Sequence, residues 1–147
     1  LLHGDITTEP LEETFDVITA FRFFLNAEED LKREAPFALH NHLNEGGSLV
    51  CNIHMNATSP VGIACRLLNL VSRHTVQNTL STRRFTHLLI SSGFVVERII
   101  PYGYLPRPGH WLPHVCERLI LPVEKGALAF GIPGWLAQHF LVIARKP

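Results

Sequence analysis

Two short runs rich in β-branched and apolar residues, Phe15–Ala20 and residues 48–54, bracket a stretch of helical periodicity, and this spacing restricts the fold more than any other feature. Runs this short with few polar positions read as strands buried on both faces, the habit of parallel sheets. Parallel strands need a crossover between them, and the intervening stretch supplies one. There Leu31, Ala35, Ala38, Leu39 and Leu43 recur at helical spacing. Asn26 is placed to cap the start, and Glu28, Glu29 and Asp30 fill the first turn. Pro36 lies inside the pattern and is expected to kink or divide the helix. Gly46 and Gly47 are expected to end it before the second strand. The whole reads as a βαβ unit of an α/β fold.

Further along, Ile63, Leu67, Leu68 and Leu70 indicate a helix over residues 60–70. Phe85, Leu88 and Leu89 indicate another over residues 81–92, with Ser81 as its cap and Gly93 as its stop. Residues 94–100 and 138–145 read as two more strands, the last strongly apolar. Between them, residues 101–136 form a Pro- and Gly-rich insertion too long for a plain connection, with room for a short helix over residues 112–121.

With 147 residues, 46% of them hydrophobic, the chain can bury one core and is expected to form a single domain. Thirteen basic residues balance thirteen acidic ones, which leaves no electrostatic footprint for a nucleic-acid backbone or an anionic membrane. The expected partner is a small molecule. Three cysteines, Cys51, Cys65 and Cys116, are an odd number in a chain too large to need stapling, so a reducing, cytoplasmic setting is expected. No apolar run approaches the roughly 20 residues of a membrane span. The chain opens on Leu1, inside what reads as a strand end (Leu1-Leu2-His3-Gly4-Asp5-Ile6), and has no glycine-rich strand-to-helix turn, so a fragment is expected.

The order of these pieces resembles the C-terminal half of the class I S-adenosylmethionine-dependent methyltransferases. The resemblance is carried by the Gly4-Asp5-Ile6 stub, Phe15-Asp16-Val17-Ile18, Leu43 with Gly46-Gly47 before a strand, Ser91-Ser92-Gly93-Phe94, and the closing residues 138–146. It implies the C-terminal part of a Rossmann-like, seven-stranded, mostly parallel sheet, present here as a partial domain over residues 1–147. Its antiparallel last strand would slot between the fifth and sixth. It also implies S-adenosylmethionine as cofactor. By the same resemblance Asp5 would accept from the adenine amino group and Ile6 would pack beside the ring. Ala20, Phe21 and Arg22 would border the methionine part and the transferable methyl group. The glycine-rich turn after the first strand and the acidic ribose ligand after the second have no match in this chain.

Methyl transfer asks the protein mainly for alignment, because the sulfonium already makes the methyl group electrophilic; a base is needed only for a protonated acceptor. His54, just past the second strand, is the candidate base, with a structural role at the strand end as its competitor. Asn56 is the candidate acceptor contact beside it, or a turn former. Arg22 either clamps an anionic group or pairs with Glu28 or Glu29. Tyr102, Tyr104 and Arg107, after the sixth-strand segment, are candidates to cover the acceptor, or else they pack a rigid loop. His40-Asn41-His42 lacks the hairpin of a nuclease motif, and Pro113 interrupts the spacing of His110 and His114, so no metal is expected. The function expected is methyl transfer to a small-molecule, lipid-like or glycan-like acceptor, competent only with an N-terminal half. The alternatives are an inactive methyltransferase-like binding module and a nicotinamide-dependent oxidoreductase, the latter disfavoured by the antiparallel closing strand.

Overall fold

The computed structural model describes residues 6–8, 13–72, 78–105 and 113–147, the side chains of residues 113, 115 and 116 excepted. Its elements in chain order are β1 (Phe15–Ala20), α1 (Glu29–Asn41), β2 (Leu43–Ile53), α2 (Pro60–Val71), α3 (Thr82–Ser91), β3 (Val95–Tyr102), α4 (Pro113–Ala129), a short 3₁₀ turn (Gly134–Leu136) and β4 (His139–Arg145). They group into two compact units. One holds Leu1–Ile53, Arg83–Ile99 and Leu141–Pro147, and the other holds His54–Thr82 and Ile100–Phe140.

The four strands form one sheet in the order β1-β2-β4-β3. β1 and β2 run parallel, paired from Val17 against Ser48 to Ala20 against Cys51. β4 runs the other way. Gly46 N donates to Lys146 O at 3.0 Å, and further along β2 the Cys51 thiol donates to Val142 O at 3.9 Å, so β4 descends as β2 climbs. Against β3 the same reversal holds: Gln138 N donates to Gly103 O at 3.1 Å, while Arg145 lies 3.9 Å from Glu97. The sheet is therefore mixed, with its last strand inserted antiparallel between two others.

In the first unit α1 provides the expected crossover, and Leu39, Leu49, Cys51, Val142 and Ala144 are buried. The rings of Phe24 and Phe85 meet at 5.0 Å. Burial pushes the Cys51 thiol up to about 12, so it behaves as an inert apolar filler.

Several local expectations are corrected. β1 is not buried on both faces: Val17 is 58% exposed, because β1 is an edge strand with β2 as its one neighbour among the described residues. Asn26 does not cap α1. It lies in a turn, its N–H donating to Phe23 O at 3.2 Å, and Glu28 takes the cap position without a side-chain bond. Pro36 stays inside an unbroken α1, where its burial offsets the lost helix bond. Gly46 and Gly47 belong to β2, where the register against β1 shifts between Phe15 and Val17. Gly46 adopts φ +76°, and a Cβ on Gly47 would press on Asp16 O and Asn44 O, so the pair makes a bulge that other residues would strain.

In the second unit Ser59 caps α2, its hydroxyl accepting from Gly62 N at 3.0 Å, with Pro60 in the first turn. The helix in the Pro- and Gly-rich insertion is longer than expected. α4 opens on Pro113 and continues through Pro122 to Ala129. No helix among the described residues is long and apolar enough to cross a membrane.

Candidate functional site

The candidate residues fall into two places, one in each unit. In the first unit, parallel pairing brings the carboxyl ends of β1 and β2 to one sheet edge, where open α/β sheets bind ligands. Ala20 ends β1, and Phe21 follows with 55% of its surface exposed. Arg22 adopts φ +60°, unusual for a residue with a side chain, and its N–H donates to Asn52 Oδ1 at 2.8 Å. That bond holds the turn leaving β1 against the end of β2. The expected ion pair of Arg22 with Glu28 or Glu29 does not form among the described residues. Glu29 pairs instead with Lys32 at 3.0 Å and Arg84 at 2.6 Å. The hydrogen bond and charge of Lys32 hold the Glu29 carboxyl below its ordinary range.

In the second unit a cleft of about 230 Å³ is walled by His54, Tyr102, Gly103 and Leu105 on one set of loops and strand ends, with Ile120 and Glu124 from α4 and His139 from β4. His139 Nδ1 lies 2.7 Å from His54 O, and the His139 ring leans on Tyr102 with centroids 5.2 Å apart. Gly103 takes φ +78°, and a Cβ there would collide with the His139 ring, so only glycine lets the turn pass this close. One oxygen of Glu124 accepts from both Gly103 N, at 2.9 Å, and Tyr104 N, at 2.8 Å, tying α4 to the turn after β3. Burial and the Glu124 charge together raise the Tyr104 hydroxyl above its ordinary value.

Of the residues singled out in the sequence, His54 and Tyr102 line this cleft together. Tyr104 borders it through its main chain, while its hydroxyl donates to Ile132 O at 3.3 Å. Asn56 is 1% exposed, and its amide is spent on Ala137 O, Trp135 O and Thr58. That gives it the geometry of a structural pin. Ile6 lies half-buried in a short turn. Asp5 and Arg107 lie outside the described residues. Glu124 and His139 were not singled out; the available signals were a carboxylate within a largely apolar helix and a histidine opening an apolar strand.

No protein-family model and no curated protein matches the sequence. Solved structures do match. A S-adenosylmethionine-dependent methyltransferase from Thermotoga maritima, described as a possible histamine N-methyltransferase, superposes with a TM-score of 0.67 at 15% identity, over 99% of this chain and 63% of its own. The chain has the class I methyltransferase fold. The N-methyltransferase NodS from Bradyrhizobium japonicum, solved with S-adenosyl-L-homocysteine, matches with a TM-score of 0.57 at 14% identity, over 98% of this chain and 52% of that one. The [4+2]-cyclase SpnF matches with 0.56 at 18% identity, over 98% and 54%. The chain thus spans between half and two thirds of these proteins. A cyclase among them means that the methyltransferase fold by itself does not name a reaction.

Proposed function

We propose that the protein transfers a methyl group from S-adenosylmethionine to a small-molecule, lipid-like or glycan-like acceptor, with part of the cofactor site supplied by residues that these 147 do not include. The observation that carries the reading is the superposition of this α/β chain, with its mixed sheet β1-β2-β4-β3, on structures of methyltransferases. The same inserted strand counts against a nicotinamide-dependent oxidoreductase.

The residues present fit part of the cofactor. The exposed ring of Phe21 and the main chain of Ala20 and Arg22 form a fixed border at the sheet edge, held by the bond from Arg22 N to Asn52. The sequence has no Gly-x-Gly turn to admit the methionine part, which is why a catalytically inactive binding module stands as the second reading. When bound, S-adenosylmethionine supplies a methyl group made electrophilic by its sulfonium. Phe21 shields that region from water, and Arg22 offers a planar cation to an anionic group. The cleft of the second unit, taken by itself, offers the apolar surface of Tyr102, Leu105 and Ile120 to a small molecule, and His54 in its wall is the candidate base.

Calorimetry of the complete protein with S-adenosyl-L-homocysteine tests this. Saturable binding is expected, weakened roughly tenfold or more by Phe21→Ala, since burying an aromatic ring contributes about 1.5–3 kcal/mol. Absence of binding by the complete protein removes the proposal.

A further inference from the structure

We propose that the cleft of the second unit is a binding site for a small protonated amine, whose ammonium group is held by the Glu124 carboxylate; the inference concerns this cleft alone and does not rest on the methyl-transfer reading. Among the described residues that line it, Glu124 is the one carboxylate, and none is a lysine or an arginine. The way that carboxylate is held decides what it can bind. Gly103 N, at 2.9 Å, and Tyr104 N, at 2.8 Å, both donate to the same oxygen, Oε1. Two main-chain donors from adjacent residues fix the carboxylate against the turn after β3. Among the described residues no donor reaches Oε2, so the second oxygen is left to a ligand.

An ionised carboxylate only accepts, so whatever Oε2 binds must donate, and a donor that is itself positively charged gains the most. Glu124 is half-buried on α4, where attraction between opposite charges is stronger than in open water. The rest of the wall selects a body for that cation. Leu105, Ile120 and the ring of Tyr102 give it apolar and aromatic surface. A volume of about 230 Å³ is smaller than the usual drug-sized pocket and suits a compact amine with one ring or a short hydrocarbon chain. A metal ion fits less well: although His54 and His139 share this wall with Glu124, no three such groups among the described residues come together to hold one.

The test titrates the complete protein with benzylamine, and with benzyl alcohol as its uncharged counterpart, by calorimetry at about pH 8, above the ordinary imidazole value of about 6.5 and below that of the amine. Benzylamine is expected to bind saturably and about tenfold or more tightly than the alcohol, the difference between a charge-assisted and a neutral hydrogen bond. Glu124→Gln keeps a carbonyl oxygen for Gly103 N and Tyr104 N and puts an amide donor where Oε2 stood. Its thermal midpoint should stay near that of the unaltered protein, while benzylamine binding falls to the level of the alcohol. Equal binding of amine and alcohol, no saturable binding of the amine, or undiminished amine binding by Glu124→Gln overturns the proposal. If Glu124→Gln fails to fold, the amine–alcohol comparison and the ¹³C shift of the Glu124 carboxyl on adding benzylamine to the unaltered protein decide, an unmoved carboxyl counting against it. Calorimetry with S-adenosyl-L-homocysteine on the same sample judges the methyl-transfer reading separately.

Discussion

Asn56 marks how far single residues can be read from sequence. Its place just past a strand made it a candidate to touch the acceptor, yet the chain folds back so that its amide donates to Ala137 O at 3.0 Å and Trp135 O at 3.3 Å, and accepts from Thr58 Oγ1 at 2.9 Å. Asn56→Ala would leave the buried Ala137 O without this donor, while Trp135 O and the Thr58 hydroxyl keep the 3.3 Å bond between them, and should cost about 1–3 kcal/mol, read as a lower urea midpoint. Loss of ligand binding at unchanged stability would instead give Asn56 a place in the binding site. His54 was legible as a candidate because it follows a recognisable strand. His139 was not, since its partner lies 85 residues away and only the sheet register joins them. Nearest-neighbour chemistry carries no trace of that pairing.

Whole elements were more legible, because periodicity and turn residues are local signals. The βαβ unit and the closing strand follow from them, with β1 found at Phe15–Ala20 as read and β4 at His139–Arg145. The misreadings share a cause. Pro36 and Gly46-Gly47 are breakers by propensity, and tertiary packing overrides propensity where burial or a bulge compensates. The end of α1 shows such packing. His40 stands edge-on to Phe94 with centroids 5.0 Å apart, and Lys146 Nζ donates to His40 O at 3.0 Å and to Leu43 O at 2.9 Å. Burial, then the Lys146 charge, lower the His40 pKa from 6.5. The unfolded chain therefore binds this proton more tightly than the folded one. The stability is complete above that ordinary value and is lost as the pH falls through the lowered one. Thermal midpoints measured from pH 7.5 to pH 5.5 should fall, and His40→Gln should flatten that slope; an unchanged slope would put the acid sensitivity elsewhere.

For the molecule as a whole, the order of strands could be read, and the fate of its apolar surface could not. Helical spacing of Ile63, Leu67 and Leu70 implied a buried face, yet Leu67 is 59% and Leu70 81% exposed, as are Val71 at 82% and Phe130 at 85%. Periodicity shows that a helix has an apolar stripe, not what covers it. β1 adds an edge strand with Val17 exposed, the kind of edge that pairs with another chain unless it is guarded. The 147-residue chain should therefore self-associate, with a sedimentation coefficient that rises with concentration, and Leu70→Lys combined with Phe130→Ser should return it toward a monomer. Cofactor affinity should be weak for a separate reason. The sequence contains no Gly-x-Gly turn through which a main chain could approach the methionine part, so Phe21 and its neighbours would bear almost the whole contact. A titration of this chain with S-adenosylmethionine should give no saturable heat. Stoichiometric binding by a monomeric sample would mean that these 147 residues already hold a whole site, and would require a cofactor pose that does without the glycine-rich turn.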